Sequence, residues 1–395
     1  MITVRLKPKK EESVKRFHPW IFSGAIQSIE GNPEEGDMVK VFDAQNNFLG
    51  IGHYQKGSIA VKIFSFEDVE INESFWFSKI QKAFYLRQSL GIIQPSSNNT
   101  YRLIHGEGDF LPGLIIDVYG DTAVMQAHSI GMHHVRHILA KAVIKTVPDV
   151  SNIYYKSMST LPHKADISDK EGYLMGDGTK NHIILENGLK FYVDWFEGQK
   201  TGFFIDQREN RSLLERYSNG KSVLNMFCYT GAFSVYALRG NARLVHSVDS
   251  SSKAIEITNK NVALNFPNEI RHQSFVSEAF DYFHQFDNQS SPYNLIILDP
   301  PAFAKHQHSI QNALRGYKHL NSEALQIIQP GGILFTFSCS QAISKEQFRL
   351  AIFSASAESK RKVRILHQLS QPMDHPINIY HPEGEYLKGL VLWVE

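Results

Sequence analysis

Leu295-Ile296-Ile297-Leu298-Asp299-Pro300-Pro301-Ala302-Phe303 is the stretch on which the fold turns. Four consecutive apolar residues without alternation read as a strand covered on both faces, the habit of parallel sheets. Asp299 then stands at the carboxyl end. Two prolines follow; lacking N–H donors, they stop the strand and bar an ordinary helix. The same device recurs further on, where Pro330-Gly331-Gly332 opens the apolar run Ile333–Phe337 and delivers Ser338-Cys339-Ser340. Upstream, the strand at Val223-Leu224 enters a turn that begins at Asn225, passes Cys228, Tyr229 and Thr230, and closes at Gly231 before a helix over Ala232–Leu238. Val245-His246-Ser247-Val248-Asp249 is the next strand and ends in an acid, with Ser250 expected to cap a helix through Asn265. Strand-like and helix-like segments alternate from about Trp195 to the C-terminus. That pattern predicts a doubly wound α/β sheet, whose ligands bind at the carboxyl ends of the strands.

Ahead of this sheet the pattern changes. Short β-prone runs at Ile2–Leu6, Met38–Phe42, Phe48–His53 and Ile59–Phe66 are separated by turn-forming clusters, which suggests a small barrel or sandwich. A helix is expected over Phe75–Leu90, closed by Gly91 and Pro95. Strands at Leu114–Tyr119 and Thr122–His128, a helix over His133–Thr146, and strands near Asn152–Lys156 and Ile183–Leu185 give the middle of the chain an α+β character. Asn187-Gly188 between two β-prone runs is a strong hairpin signal.

With 395 residues, two or three domains are expected. Hydrophobic content of 42% and charged content of 21% are those of a soluble globular protein, and no apolar run reaches the length of a membrane span. The first residues lack a signal peptide's apolar core. Cys228 and Cys339 are the only cysteines, which argues against a secreted disulfide scaffold and for a cytoplasmic location. The net charge of +1 neither favours nor excludes nucleic acid. Its distribution is uneven, however: Arg5, Lys7, Lys9, Lys10, Lys15 and Arg16 outnumber Glu11 and Glu12 near the start. Such a patch is either a solvated face or a set of phosphate contacts.

The strand ends carry the chemistry. Gly231 permits close backbone approach, and the helix after it offers unpaired N–H groups to a ligand. No G-x-G-x-x-G occurs there, so a dinucleotide fingerprint is absent. Asp249 is placed to accept both hydroxyls of a ribose, although a strand-end Asp also caps helices. Asp299 faces the place where a planar base would enter, Phe303 offers a packing or stacking surface, and Lys305 could reach a phosphate. A lone cysteine is ordinarily a small buried hydrophobe. Cys339 differs in sitting at a strand end one βα unit after Asp299, where a thiolate could attack an electron-poor ring carbon. Cys228 lies inside the turn and is expected only to pack.

These stretches resemble the ribosomal-RNA large-subunit methyltransferase I family over the whole chain. His18-Pro19-Trp20-Ile21-Phe22-Ser23 resembles the start of that family's PUA domain, and 197–208 resembles its lead-in to the cofactor site. Asn225–Phe233, Val248-Asp249, Leu298–Lys305, Ser338–Ser340 and 381–389 match in order and spacing. The resemblance implies three domains: a PUA-like RNA-binding β-barrel at 1–70, a middle α+β domain at 71–190, and a Rossmann-like methyltransferase domain at 191–395. It also implies S-adenosylmethionine as cofactor, large-subunit ribosomal RNA as partner, no metal, and a homodimer.

On this basis the cofactor pocket is expected to use Phe203, Asp206, Gln207, Arg208, Asn225, Tyr229, Thr230, Gly231, Asp249, Ser250, Glu278 and Asp299. Glu278 stands where the family usually has Asp, and either acid accepts a hydrogen bond from an adenine amino group. RNA contacts are expected from Lys7, Lys9, Lys10, Arg16 and Lys305. The implied reaction forms 5-methylcytosine through a covalent adduct of Cys339, with Asp299 holding the base. Two alternatives remain open from the residues: a guanine-N methyltransferase that needs no thiol, and a non-catalytic RNA-binding assembly factor.

Overall fold

The computed structural model describes residues 2–162, 171–178, 182–286, 291–304 and 309–395, and all counts below refer to these. The chain forms two compact units. Met1–Leu185, Val193–Ile205 and Met373–Gly384 make the first; Glu186–Tyr192, Asp206–Pro372 and Glu385–Glu395 make the second.

The first unit opens with β1 (Ile2–Leu6), α1 (Glu12–Lys15), β2 (Trp20–Phe22), β3 (Ile26–Glu30), β4 (Met38–Phe42), β5 (Phe48–Tyr54) and β6 (Ile59–Ser65). They form one sheet in the order β2-β6-β5-β4-β1-β3. Strict alternation drives it: Val4 and Leu6, Val39 and Val41, Val61 and Ile63 all turn into a shared core. The four expected strands are present. β2 and β3 escaped notice because one is three residues long and the other is largely solvent-facing.

Next come α2 (Glu73–Ser89), β7 (Thr100–His105), β8 (Leu114–Tyr119), β9 (Thr122–Ala127), α3 (Ile130–His134), α4 (Arg136–Thr146), β10 (Asn152–Tyr155) and β11 (Gly172–Met175). The sheet order is β11-β10-β9-β8-β7. Asn72 starts α2 by accepting the Phe75 N–H (3.1 Å). Trp76, Ile80 and Phe84 of α2 join Leu139 and Val143 of α4 in the core over this sheet. The helix expected from His133 starts at Ile130 and is interrupted at Val135, whose backbone leaves helical geometry. In the hairpin of β12 (His182–Glu186) and β13 (Leu189–Val193), Asn187 and Gly188 adopt φ of 50° and 79°. Both central residues are left-handed, as the tight turn requires.

The second unit carries α5 (Arg208–Tyr217), β14 (Ser222–Met226), α6 (Ala232–Arg239), β15 (Leu244–Asp249), α7 (Ser252–Asn265), β16 (His272–Val276) and α8 (Ala279–Phe283). It continues with β17 (Leu295–Leu298), α9 (Ile310–Ile327), β18 (Gly332–Ser338), α10 (Lys345–Glu358), β19 (Val363–Leu369) and β20 (Lys388–Val394). Sheet order is β16-β15-β14-β17-β18-β20-β19. Every residue of β14, β17 and β18 is buried, as the unalternating apolar runs required. β14 through β18 run parallel, and β20 returns antiparallel between β18 and β19. Strand order reverses between β14 and β17, so the carboxyl ends there flank a crevice.

Two local expectations need correction. Asn225 lies inside β14, and the turn starts after Met226. Ser251, not Ser250, caps α7, accepting the Ala254 N–H at 3.2 Å. The exposed Ser250 has Asp249 before it, and that acid takes the Ser251 N–H (2.9 Å), so the cap moves one residue on. No described helix is long and apolar enough to cross a membrane, and the described residues contain no group of three or more His, Cys, Asp or Glu able to hold a metal.

Candidate active site

The turn after β14 is held from beneath. Phe227, Tyr229 and Gly231 all adopt positive φ (57°, 48° and 75°), an arrangement that costs energy for the two aromatic residues. Hydrogen bonds over-determine it. Asp249 Oδ2 accepts the Tyr229 N–H (2.9 Å), Thr258 Oγ1 donates to the Tyr229 carbonyl (2.9 Å), and Asn261 Nδ2 donates to the Thr230 carbonyl (2.8 Å). Gly231 is required on its own account, because a Cβ there would lie 2.5 Å from Thr258 Cγ2. Each Asp249 oxygen accepts one backbone N–H, which leaves a further lone pair on each for a diol. Buried Asn225 donates through Nδ2 to Ser234 Oγ (2.9 Å), and its Oδ1 has no hydrogen-bond partner. Glu278 lies just past β16 at the head of α8; it is exposed and makes no capping bond.

Cys228 sits within this turn, buried, with Sγ 3.7 Å from Thr258 Oγ1. Burial, and then the Asp249 charge, push its thiol far above the ordinary range. It is placed as a packing group.

The opposite side is built from Asp206 and Asp299. Tyr386 donates to Asp206 Oδ2 (2.7 Å), while Asp206 Oδ1 is buried with no hydrogen-bond partner. Gln207 is buried, accepts from Asn210 Nδ2 (2.6 Å) and hydrogen-bonds the Asp299 carboxyl. Desolvation first, and the Asp206 charge second, raise Asp299 to about 7, against the pull of Gln207 and Arg211. Arg211 gives little relief, being committed to the buried Glu186 by two bonds of 2.8 and 2.6 Å. Two neighbouring carboxyls, one with an orphaned oxygen, are suited to a cation. Arg208 is buried, its Nε 3.3 Å from Glu209 Oε1. Phe203 is a buried residue of the first unit, where its carbonyl accepts from the Tyr119 hydroxyl (3.3 Å).

Cys339 follows β18 and is only partly buried, with Sγ 3.9 Å from the Pro300 carbonyl. Its neighbours are anchored. Ser340 Oγ accepts the Ala304 N–H (3.1 Å) and pairs with the Tyr317 hydroxyl (2.9 Å), while Lys388 Nζ donates to the Ser340 carbonyl (2.8 Å). Phe303 packs on Tyr317 with ring centres 4.6 Å apart. Lys305 falls outside the described residues.

The second unit thus brings together Asp206, Gln207, Asp299 and Cys339 along one sheet edge, with Tyr229, Thr230, Gly231 and Asp249 on the same edge. In the first unit Lys7, Lys9, Lys10 and Arg16 are all exposed and none forms an ion pair with a described residue, whereas Lys15 is drawn to Glu11 and Asp43. Sequence reasoning passed over Tyr317 and gave no role to Tyr386 and Lys388, which lie in the family-like stretch 381–389. A lysine opening the apolar strand Lys388–Val394 was the available signal, since an ammonium there must be buried.

A doubly wound sheet whose second strand ends in an acid with spare lone pairs, with the acidic pair Asp206 and Asp299 beside the switch point, is an arrangement suited to an S-adenosylmethionine-dependent methyltransferase, and the family comparison assigns that class. The model of the S-adenosylmethionine-dependent methyltransferase family matches residues 135–380, and that of the PUA-like domain matches residues 4–66. More narrowly, the chain belongs to the ribosomal RNA large subunit methyltransferase I family. It is 38% identical over 394 residues to the members from Tolumonas auensis and Shewanella denitrificans, covering 99% of this chain and 98% of each relative. Among solved structures, an S-adenosylmethionine-dependent methyltransferase from Streptococcus mutans shares the fold at a TM-score of 0.85 and 24% identity, with both chains fully covered. A methyltransferase complexed with SAH aligns at a TM-score of 0.87 and 25% identity, again over 100% of both chains. The cofactor is S-adenosylmethionine, and the spare lone pairs of Asp249 and the orphaned Asp206 oxygen suit its ribose and its positive charge.

Proposed function

We propose that this chain methylates carbon 5 of a cytosine in large-subunit ribosomal RNA, in the cytoplasm, through a covalent adduct of Cys339. The observation that carries the reading is a partly exposed thiol at the end of β18, next to the Asp299-Pro300 backbone. A guanine-N methyltransferase has no use for that thiol. The relatives' names and the PUA-like domain support ribosomal RNA as the substrate.

Bound S-adenosylmethionine supplies an electrophilic methyl group on a sulfonium. Asp249 holds the ribose, Glu278 accepts from the adenine amino group, and Asp206 faces the positively charged end. The target cytosine is taken out of its stack, because carbon 5 and carbon 6 are inaccessible within a helix. Asp299 holds the amino and ring-nitrogen edge. A value near 7 lets it carry a proton to ring nitrogen when the adduct forms. Cys339 Sγ bonds to carbon 6, and the electron pair of the 5,6 double bond makes carbon 5 the nucleophile that takes the methyl group. Loss of the carbon-5 proton and expulsion of the thiolate restore the ring. Lys7, Lys9, Lys10 and Arg16 contact RNA phosphates.

The test is methylation of ribosomal RNA followed by nucleoside mass spectrometry. 5-Methylcytidine is expected; methylguanosine, or no product, overturns the reading. RNA carrying 5-fluorocytosine should trap the enzyme covalently, because no proton at carbon 5 can be lost. A homodimer, implied by the family resemblance, is checked by light scattering.

A further inference from the structure

We propose that Lys388 is a positioning residue for the reaction: it clamps the Ser338-Cys339-Ser340 turn and supplies the positive charge that favours the Cys339 thiolate. The inference rests on Cys339 being the nucleophile.

The geometry comes from one residue acting at two points. Lys388 opens β20 and is the antiparallel partner of Ser338, the last residue of β18. Its side chain then reaches past Cys339, and Nζ donates to the Ser340 carbonyl at 2.8 Å and to the Tyr386 carbonyl at 2.7 Å. Both residues flanking the thiol are therefore held by Lys388. An apolar residue would keep the strand pairing and lose the second anchor.

The charge argument is independent. Lys388 is 3% exposed, yet both of its hydrogen-bond partners are neutral carbonyls. A buried ammonium is ordinarily matched by an anion. No carboxylate is paired with it among the described residues. Glu385, the acid next along the chain, forms an ion pair with Lys345 of α10. The third N–H of Lys388 finds no acceptor among the described residues. Cys339 and Glu385 both lie within electrostatic range of Lys388; Glu385 is shared with Lys345, and ionised Cys339 is an anion this charge would favour.

The other groups around the pair are Tyr317 from α9, kept neutral by burial; Lys345 from α10; and Glu385 just before β20. Burial lowers Lys388 to about 8, with Cys339 and Glu385 drawing it up and Lys345 drawing it down. The ammonium is thus present at neutral pH and lost above about pH 8. Ionisation breaks the S–H bond, sends the proton to solvent and leaves the electron pair on Sγ, while Lys388 keeps its own protons.

The test reads the thiol directly. Full-length protein is treated with iodoacetamide across a pH series, and the labelled Cys339 peptide is quantified by mass spectrometry for wild type, Lys388→Met, Lys388→Gln and Lys388→Arg. The Met and Gln variants should move the midpoint of reactivity up by about one pH unit or more, slowing labelling at pH 7 about tenfold. Arg should recover most of that shift. Gln keeps a donor without the charge, so it reports even if Met fails to fold; retained S-adenosylmethionine binding certifies each variant. An unmoved profile in Lys388→Gln overturns the inference. Whether Cys339 is the nucleophile is read separately, from turnover by Cys339→Ser.

Discussion

The end of β14 and the ends of β17 and β18 lie along one sheet edge, yet they are finished in opposite ways. At β14 the hydrogen bonds of the turn close on one another, although buried Asn225 Oδ1 has no partner: Asp249, Thr258 and Asn261 satisfy the backbone of Tyr229 and Thr230, and Cys228 is buried with its thiol held neutral. At β17 and β18 the groups are under-compensated. Asp299 is raised by burial first and by its neighbour Asp206 second, Asp206 has an orphaned oxygen, and Lys388 is buried without a paired carboxylate among the described residues. On the proposed reading, the first region receives the cofactor on a turn whose shape its own hydrogen bonds set. On the same reading, the second receives the base, whose charge changes during the proposed reaction. The two cysteines beyond these strands thus differ in their surroundings, Cys228 being buried and Cys339 only partly so.

The largest expected effect breaks the comparison at its reactive side. Cys339→Ser should lose turnover by on the order of 10³-fold or more, the scale of removing a covalent nucleophile. Cofactor and RNA binding should be nearly unchanged. Normal turnover in single-turnover methylation assays would remove the distinction between the two thiols. At the cofactor side, Asp249→Ala deletes two backbone anchors and the proposed ribose contact. It should weaken S-adenosylmethionine binding by roughly 1.5–3 kcal/mol in calorimetry. An affinity equal to wild type would mean that the turn does not depend on its acid.

Charge reversal at Lys7, Lys9 and Lys10 should touch neither side. RNA affinity should fall and its salt dependence should flatten by about two units of log–log slope, at roughly 0.7 per phosphate contact on single strands. Unaltered slope would make the patch a solvated face.

A subtler expectation concerns Asp299. Its folded-state value of about 7 exceeds the ordinary aspartate value, so the folded chain binds this proton more tightly than the unfolded chain. Its contribution therefore lowers stability progressively as pH rises from about 4 towards 7. Asp299→Asn should raise the melting temperature of the cofactor-free protein at pH 8 by roughly 2–4 °C, equivalent to about 1 kcal/mol, and change it little at pH 4. A lower melting temperature at pH 8 would show that the carboxyl is compensated after all. The smallest effect belongs to Cys228→Ser, which should keep most activity because the turn asks only that the side chain fit.

Unalternating apolar runs at Leu295–Leu298 and Ile333–Phe337 could belong only to doubly covered strands, and the prolines and glycines around them fixed where each strand stopped. The sheet and its working edge were therefore readable from local pattern. So was the Asn187-Gly188 hairpin. β2 and β3 were not, since a three-residue strand and an exposed strand owe their existence to neighbours distant in sequence. The same limit applied at the site. Ser250 and Ser251 are equivalent as capping residues on paper, and only the Asp249 carboxylate taking the Ser251 N–H decided between them.

By itself, the sequence determined the class of fold, the order of its chemical groups and the edge on which they stand. These depend on periodicity and on backbone restrictions of proline and glycine, which act over a few residues. Only the tertiary structure decided which groups share a charge environment. That depends on through-space distance and burial: Asp206 beside Asp299, Tyr386 on Asp206, and Lys388 reaching across from β20 to hold the turn that carries Cys339.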